Sequence, residues 1–174
     1  MTTEASSVQS LRPPPSEELV GVISDTHGLL RPEALEALQG VGHILHAGDI
    51  GDPEHLDALA RIAPLTAIRG NIDRSPWAED LPRTASLTIH GLNIYMIHDR
   101  KDLQVDPEAQ GRNVVISGHS HKPSIEETGA LLWLNPGAAG PRRFRLPITL
   151  AFLWVEGGRP HAMIHKLPVK TATD

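Results

Sequence analysis

The apolar positions in the first half of the chain fall into short runs that alternate with amphipathic stretches. Three such runs are bounded by polar residues and are typical of buried strands: Leu19–Ser24, Val41–His46 and Leu65–Arg69. Between them, apolar residues recur at helical spacing over Pro32–Gly40 and Pro53–Ile62, and each stretch has proline in its first turn. This alternation of strand and helix predicts parallel strands joined by right-handed crossovers.

After residue 84 the pattern predicts hairpins instead. Glycine separates paired apolar runs in three places: Ala85–His90 with Leu92–His98, Ser124–Thr128 with Leu131–Asn135, and Ile148–Glu156 with His161–Leu167. A further strand is predicted over Asn113–Ser117 and a helix over Asp102–Gly111, whereas Arg74–Arg83 and Asn135–Pro147 are long loops. Hairpins that follow strand–helix units predict a second, more antiparallel sheet packed on the first.

Side chains that can bind metal ions follow several of these strands. In an open parallel sheet, the ligand site lies at the carboxyl ends of the strands. The set contains two carboxylates, one amide and four imidazoles: Asp25, His27, Asp49, Asn71, His98, His119 and His121. Oxygen ligands mixed with imidazoles suit Mn, Fe, Zn, Co or Ni. Seven ligands exceed the four that a zinc ion uses, so two divalent ions that share a bridging carboxylate are expected.

Two metal ions about 3.5–4 Å apart clamp the attacking and leaving oxygens of an in-line displacement and lower the pKa of a bridging water. Hydrolysis of a phosphoester by a metal-bridging hydroxide is therefore the predicted chemistry. It needs no side-chain nucleophile, and the chain shows no serine nucleophile motif and has no cysteine.

Composition limits the remaining possibilities. The 174 residues are about enough for one domain, and a net charge of −5 gives no indication of a nucleic-acid-binding surface. We expect residues 1–18 to form a disordered tail, residues 19–168 a single domain, and residues 169–174 a short C-terminal tail. No apolar stretch is long enough to span a membrane and no signal peptide is evident, so a cytoplasmic location is expected. A homodimer is a plausible assembly, because homodimers are the commonest oligomers of soluble proteins.

The order of the motifs resembles that of the metallophosphoesterases (calcineurin-like phosphoesterases), and within them the small bacterial and archaeal phosphodiesterase branch. The matching motifs are Asp25-Thr26-His27, Gly48-Asp49, Gly70-Asn71-Ile72-Asp73, His98 and Gly118-His119-Ser120-His121. The resemblance covers about residues 19–167 and includes Asn135-Pro136-Gly137. It implies an α/β fold, a four-layer α/β/β/α sandwich of two mixed sheets flanked by helices.

The resemblance also implies roles for individual residues. One ion would be held by Asp25, His27 and His121, and the other by Asn71, His98 and His119. Asp49 would bridge the two ions, and Asn71 would also contact the substrate phosphate, so these two residues are the predicted catalytic pair. His46 and Asp73 are expected supports, although His46 is equally compatible with a simple backbone hydrogen bond. Because a guanidinium can bind phosphate through two hydrogen bonds, Arg142, Arg143 and Arg69 are candidate phosphate partners, with Arg142 the expected substrate contact. Manganese is expected first among the possible ions.

Two positions depart from the family pattern. Many members have histidine directly after the asparagine, where it can protonate the leaving group, and this chain has Ile72. A missing general acid favours phosphodiesters or activated esters with good leaving groups. Asp99 follows His98 where this branch usually has glycine, and it could either orient His98 or crowd the pocket. Two rival interpretations remain, a non-catalytic scaffold like the retromer subunit of this fold and a hydrolase with a single zinc ion.

Overall fold

The computed structural model describes residues 14–170. Residues 1–13 of the predicted N-terminal tail lie outside the described residues. The last residues of that tail, Ser16–Glu18, form a short 3-10 helix. The end of the predicted C-terminal tail, after residue 170, also lies outside them. None of the described helices is long and apolar enough to cross a membrane.

Within residues 14–170 the regular elements are mostly strands. In chain order they are β1 (Val20–Ile23), α1 (Pro32–Ala37), β2 (His43–His46), α2 (Pro53–Ala60), β3 (Leu65–Ala67), β4 (Thr84–Ile89), β5 (Leu92–Ile97), β6 (Val114–Ile116), β7 (Ser124–Thr128), β8 (Leu131–Asn135), β9 (Thr149–Glu156) and β10 (Arg159–Lys166). Two further 3-10 helices cover Pro76–Ala78 and Arg100–Asp102.

The strands form two five-stranded mixed sheets. The first has the order β10-β9-β1-β2-β3, with β1, β2 and β3 parallel to one another. The second has the order β4-β5-β6-β8-β7, with β5, β6 and β8 parallel and the two edge strands antiparallel. The two mixed sheets confirm the predicted α/β fold class.

The last hairpin, β9–β10, belongs to the first sheet, so the prediction that all late hairpins build the second sheet is wrong. β9 pairs antiparallel with β1, with Val20 opposite Leu153. The first six of its eight residues are buried. Both faces of this strand are apolar and both are covered, because Leu150 and Phe152 pack in the cluster on the helix side of the first sheet and Ala151 and Leu153 in the cluster between the sheets.

Successive side chains of a strand point to opposite faces of the sheet, and in the first sheet they enter two separate apolar cores. Val20 and Val22 of β1 pack with Met96 and Ile116 of the second sheet, in a cluster between the two sheets. Ile23, from the opposite face of β1, joins a cluster that includes residues of both helices. The helices therefore cover the outer face of the first sheet, and strand alternation fixes which side chains face each layer.

The helix predicted over Asp102–Gly111 does not form. Pro107 disfavours helical backbone at the preceding residue and lacks an N–H of its own. The Asp106 carboxylate accepts hydrogen bonds from the N–H groups of Glu108 and Ala109, at 3.1 and 3.3 Å, which closes a single turn. On the outer face of the second sheet, Leu103 packs against a small apolar cluster formed by side chains of β5, β6 and β8. The fourth layer therefore carries little helix in the described chain.

Candidate metal centre

The carboxyl ends of the parallel strands in both sheets deliver the predicted ligands to one place. Asp25 lies two residues beyond β1, and His98 immediately follows β5. Five of the seven residues adopt a left-handed backbone, with φ between 45° and 69°: Asp25, His27, Asp49, His119 and His121. This conformation is uncommon for residues other than glycine and persists where surrounding structure enforces it, as it does at functional sites.

The glycines of the motifs allow these loops to approach one another closely. A Cβ on Gly70 would collide with the carboxylate of Asp49, and a Cβ on Gly118 would collide with Ser24 and Asp25. The Gly-Asn and Gly-His-Ser-His loops therefore rest directly on the carboxylates that follow the strands of the first sheet. Their packing requires the absence of a side chain at both positions.

Asp25, His27 and His121 form the first group of ligand atoms. Oδ1 of Asp25 lies 3.5 Å from Nε2 of His27 and 3.3 Å from Nε2 of His121. Its other oxygen, Oδ2, accepts hydrogen bonds from the Ser24 hydroxyl, at 2.7 Å, and from the His119 N–H, at 3.1 Å. The carboxylate is thus oriented by one oxygen, and the other faces the imidazoles.

Asp49, His98 and His119 form the second group. Oδ2 of Asp49 lies 3.2 Å from Nε2 of His98 and 3.4 Å from Nε2 of His27, so it stands between the two groups. The opposite nitrogen of His98, Nδ1, donates to the Ala47 carbonyl at 2.7 Å and holds Nε2 toward the carboxylates. Asn71 joins this group, because its Oδ1 lies 3.2 Å from Nδ1 of His119. The structure thus brings all seven predicted residues together.

Several ligand atoms in the centre are buried and make no hydrogen bond within the described protein. They are Oδ1 of Asp25, Nε2 of His27 and Nε2 of His98. A buried polar atom without a partner costs about 1–3 kcal/mol. Each group offers three ligand atoms that lie within 4.8 Å of one another. This donor set, carboxylate oxygens with imidazole nitrogens, fits two divalent transition-metal ions.

The carboxylates and imidazoles perturb one another strongly. Burial acts to raise the pKa of Asp25, but the close approach of the surrounding histidines and the Ser24 hydroxyl bond outweigh it and hold that pKa far below its usual range. The pKa of Asp49 is also lowered, because His98 and the Ile72 N–H outweigh the effect of burial. Burial lowers the pKa of His98, whereas the two carboxylates raise it, to about 8 overall. The carboxylates therefore stay charged and attract a cation.

His46 lies behind the ligands. Its Nδ1 accepts the Gly48 N–H at 3.1 Å, so Nε2 carries the proton and faces the Thr26 hydroxyl, also at 3.1 Å. Thr26 in turn donates to the Ile50 carbonyl at 2.9 Å. Burial lowers the pKa of His46 to about 3, so this ring is neutral. It makes a backbone hydrogen bond and also connects the loops that follow β1 and β2.

The buried carboxylate of Asp73 joins two loops of the centre. It accepts the N–H groups of Ile50, Gly51 and Gly70, at distances between 2.8 and 3.1 Å. These bonds position the backbone on either side of the centre, beside Asp49 and Asn71. Asp73 therefore acts on the ligands through the loops that carry them.

The residues beside the ligands that the sequence singled out lie at different distances from the centre. Ile72 is 42% exposed beside Asn71. Oδ2 of Asp99 lies 3.4 Å from Nε2 of His119, so Asp99 approaches this histidine and not His98. Arg142 is exposed, and its neighbour Arg143 is the residue whose Nη2 lies 3.4 Å from Nδ1 of His27.

Sequence reasoning missed two positioning groups. The Ser24 hydroxyl donates to Asp25, and the Asn135 amide donates to the Gly118 carbonyl at 2.9 Å and to the Ser120 hydroxyl at 3.1 Å. Asn135 ends β8 beside β6 and belongs to the Asn135-Pro136-Gly137 motif, which indicated a family resemblance but no positioning role. Ser24 gave no such indication, because it closes an otherwise apolar run.

Two mixed sheets with paired aspartate–histidine groups at their carboxyl ends define an α/β protein with a candidate metal-binding site. Residues 19–158 match the calcineurin-like phosphoesterase superfamily domain. A probable metallophosphoesterase of Methanothermobacter thermautotrophicus is 35% identical over 158 residues, which cover 84% of this chain and 91% of that protein. The chain therefore belongs to the calcineurin-like phosphoesterase superfamily.

Solved structures share the fold at lower identity. An archaeal phosphodiesterase is similar with a TM-score of 0.70 and 24% identity, over 84% of this chain and 99% of that one. Wild-type Vps29 of Entamoeba histolytica, solved in complex with Zn²⁺, is similar with a TM-score of 0.64 and 22% identity, over 85% and 98% of the two chains. At these identities the likeness shows the fold alone.

Proposed function

We propose that this protein is a phosphodiesterase that uses two divalent metal ions. The observation that carries the proposal is the set of buried, unpaired ligand atoms on Asp25, His27 and His98, which face one another across a shared space. Two cations would satisfy these atoms and neutralise the carboxylates. Membership of the phosphoesterase superfamily supports the same chemistry.

The ligands divide between two ions. Asp25, His27 and His121 would hold one ion, and Asn71, His98 and His119 would hold the other. Oδ2 of Asp49, which lies within 3.4 Å of a histidine from each side, would bridge them. We propose manganese first, with iron, zinc, nickel and cobalt compatible with the same ligands.

The protein's own groups prepare the centre for a phosphate. When bound, a pair of divalent ions activates water and stabilises the charge that develops on the phosphoryl oxygens. The exposed amide of Asn71 stands where it can donate to a phosphate oxygen, and the guanidinium of Arg143 stands beside His27. Ser24, Ala47 and His46 hold the ligands and their loops without contacting substrate.

The residues near the centre favour esters with good leaving groups. Ile72 has no proton to donate, and His46 is buried with its Nε2 directed to Thr26. A leaving group must therefore depart without a strong side-chain acid at the position where many relatives have histidine. Phosphodiesters of small molecules with acidic alcohols fit this requirement better than alkyl monoesters.

A scaffold function is the second candidate, since the fold is similar to that of Vps29. All seven ligand positions are filled, which favours the enzyme, because a scaffold would be expected to have lost some of these ligands. A cytoplasmic location and a homodimer remain our predictions for either function.

The test is hydrolysis of bis(p-nitrophenyl) phosphate by the purified protein with added Mn²⁺, alongside its metal content. We expect turnover that disappears after chelation and returns with Mn²⁺. The Asp49→Asn variant should lose metal or nearly all activity, whereas Asp57→Asn, which removes the same charge from the exposed face of α2, should keep both. A wild-type protein that neither binds transition metal nor hydrolyses the ester would favour the scaffold.

A further inference from the structure

A hollow of about 540 Å³ opens beside the second group of ligands. Asn71, His98 and His119 line it, and so do two arginines, Arg69 and Arg83. A phosphate held at the metal centre would therefore have a continuous space beside it that reaches both guanidinium groups.

The backbone brings these two arginines together. The N–H of Arg69 donates to the Pro82 carbonyl at 2.9 Å, which places the residue before Gly70-Asn71 against the residue that precedes Arg83. Nε of Arg69 is buried and makes no hydrogen bond within the described protein. The two guanidinium groups that line the hollow can bind an anionic ligand through their terminal N–H groups, since guanidinium binds phosphate and carboxylate in a bidentate way.

Neither guanidinium is neutralised by a neighbouring acid. Within residues 14–170, no carboxylate oxygen lies within 4.0 Å of a guanidinium nitrogen of Arg69 or Arg83, whereas Arg100 pairs with Glu126 at 2.8 Å. Asp99 and Asp102 also line the hollow. A second anion must therefore contact the guanidinium groups directly, since the mixed charge of the walls gives little long-range attraction.

We propose that this hollow is a subsite for a second anionic group of the substrate, a phosphate or carboxylate carried on its organic part. The inference rests on the proposed phosphodiesterase function and specifies the substrate class. The scissile phosphate occupies the centre near Asn71, and the second anion binds Arg69 and Arg83. Both arginines are specificity residues and take no part in breaking the ester bond.

Two esters that differ by one phosphate test the subsite: p-nitrophenyl thymidine 5′-phosphate, and the same ester with an additional 3′-phosphate. With Mn²⁺, we expect the wild type to prefer the second ester by about tenfold or more in kcat/KM, mainly through KM, as expected for charge-assisted hydrogen bonds. In Arg69→Gln and Arg83→Gln the ratio of the two kcat/KM values should fall to about one. Arg83 is exposed, so its variant should fold even if the Arg69 variant does not.

The control is Arg61→Gln, which removes the same charge from an exposed residue after α2 and should keep the wild-type ratio. Equal kcat/KM for the two esters in the wild type, or an unchanged ratio in Arg83→Gln, would overturn the subsite. The dissociation constants of thymidine 3′,5′-bisphosphate and thymidine 5′-phosphate, measured by calorimetry, test the effect of the additional 3′-phosphate on binding without turnover. A protein that prefers the bisphosphate through Arg83 but hydrolyses neither ester would retain the subsite and lose the proposed function.

Discussion

The backbone N–H of Ile72 donates a hydrogen bond of 3.1 Å to Oδ1 of Asp49. The other oxygen of Asp49 lies between His27 and His98, so residue 72 is fixed beside the carboxylate proposed to bridge the ions. The bond uses only the backbone of Ile72, and its side chain is 42% exposed. The side chain can therefore be exchanged while this hydrogen bond is kept.

Ile72→His should introduce the missing general acid. We expect kcat for alkyl phosphoesters to rise by about tenfold or more, a part of the ~10²–10⁴-fold that a well-placed acid contributes. Esters of p-nitrophenol, which leave without protonation, should change little. Ile72→Gln is the control, since it is polar but cannot act as an acid. Equal effects of the two variants on alkyl esters would show that no proton transfer was gained.

Asp73→Asn should destabilise the protein and disturb the centre. An amide cannot accept all the N–H groups that the Asp73 carboxylate now accepts from Ile50, Gly51 and Gly70. We expect the free energy of unfolding in urea, measured without metal, to fall by about 2–3 kcal/mol. Asp52→Asn should cost far less, because Asp52 caps α2 and asparagine caps helices equally well.

Gly70→Ala should weaken metal binding. A Cβ at this position would collide with the Asp49 carboxylate and displace it. We expect Mn²⁺ to raise the Tm of the wild type but to raise that of the variant much less, because a ligand stabilises the fold only as far as it binds. Gly111→Ala is the control, because a Cβ at Gly111 would meet no neighbouring atom. This variant should be less stable, because the φ of Gly111 is positive, but its Tm should rise with Mn²⁺ as that of the wild type does. An undiminished Mn²⁺ effect in Gly70→Ala would contradict the close packing of this loop.

His46 should make the metal-free protein less stable in acid. Its pKa is lowered to about 3 by burial, from 6.5, so between these values the unfolded chain binds a proton that the folded chain does not. Stability is therefore lost as the pH falls through this window. Relative to His46→Gln, the wild type should lose about 2 kcal/mol of unfolding free energy between pH 6 and pH 4 in EDTA. Parallel pH profiles would show that His46 is not held neutral.

Much of the centre could be predicted from the sequence because its residues follow strands. The carboxyl ends of parallel strands meet at one edge, so the motifs around Asp25, Asp49 and His119 were expected to converge, and the structure brings them together. The local geometry could not be predicted. The left-handed backbone of these residues depends on contacts between loops that no pattern in one sequence encodes.

Loop conformations and pairings between distant strands account for most differences between the predictions and the structure. Of the neighbouring candidate phosphate contacts Arg142 and Arg143, it is Arg143 that approaches His27, because the direction of each side chain depends on the shape of the loop. The sequence predicted the β9–β10 hairpin as an element, but its pairing with β1 depends on a contact between distant parts of the chain. Pro107 limited a predicted helix to a single turn, and this was visible in the sequence.

The most direct measurement is anomalous scattering at the manganese edge from crystals grown with Mn²⁺. We predict two peaks per chain, one among Asp25, His27 and His121 and the other among Asn71, His98 and His119, with Asp49 between them. The Asp49→Asn variant should lose one or both peaks. A single peak in the wild type would indicate a one-metal centre, and the absence of any peak would contradict the proposed metal-dependent phosphodiesterase.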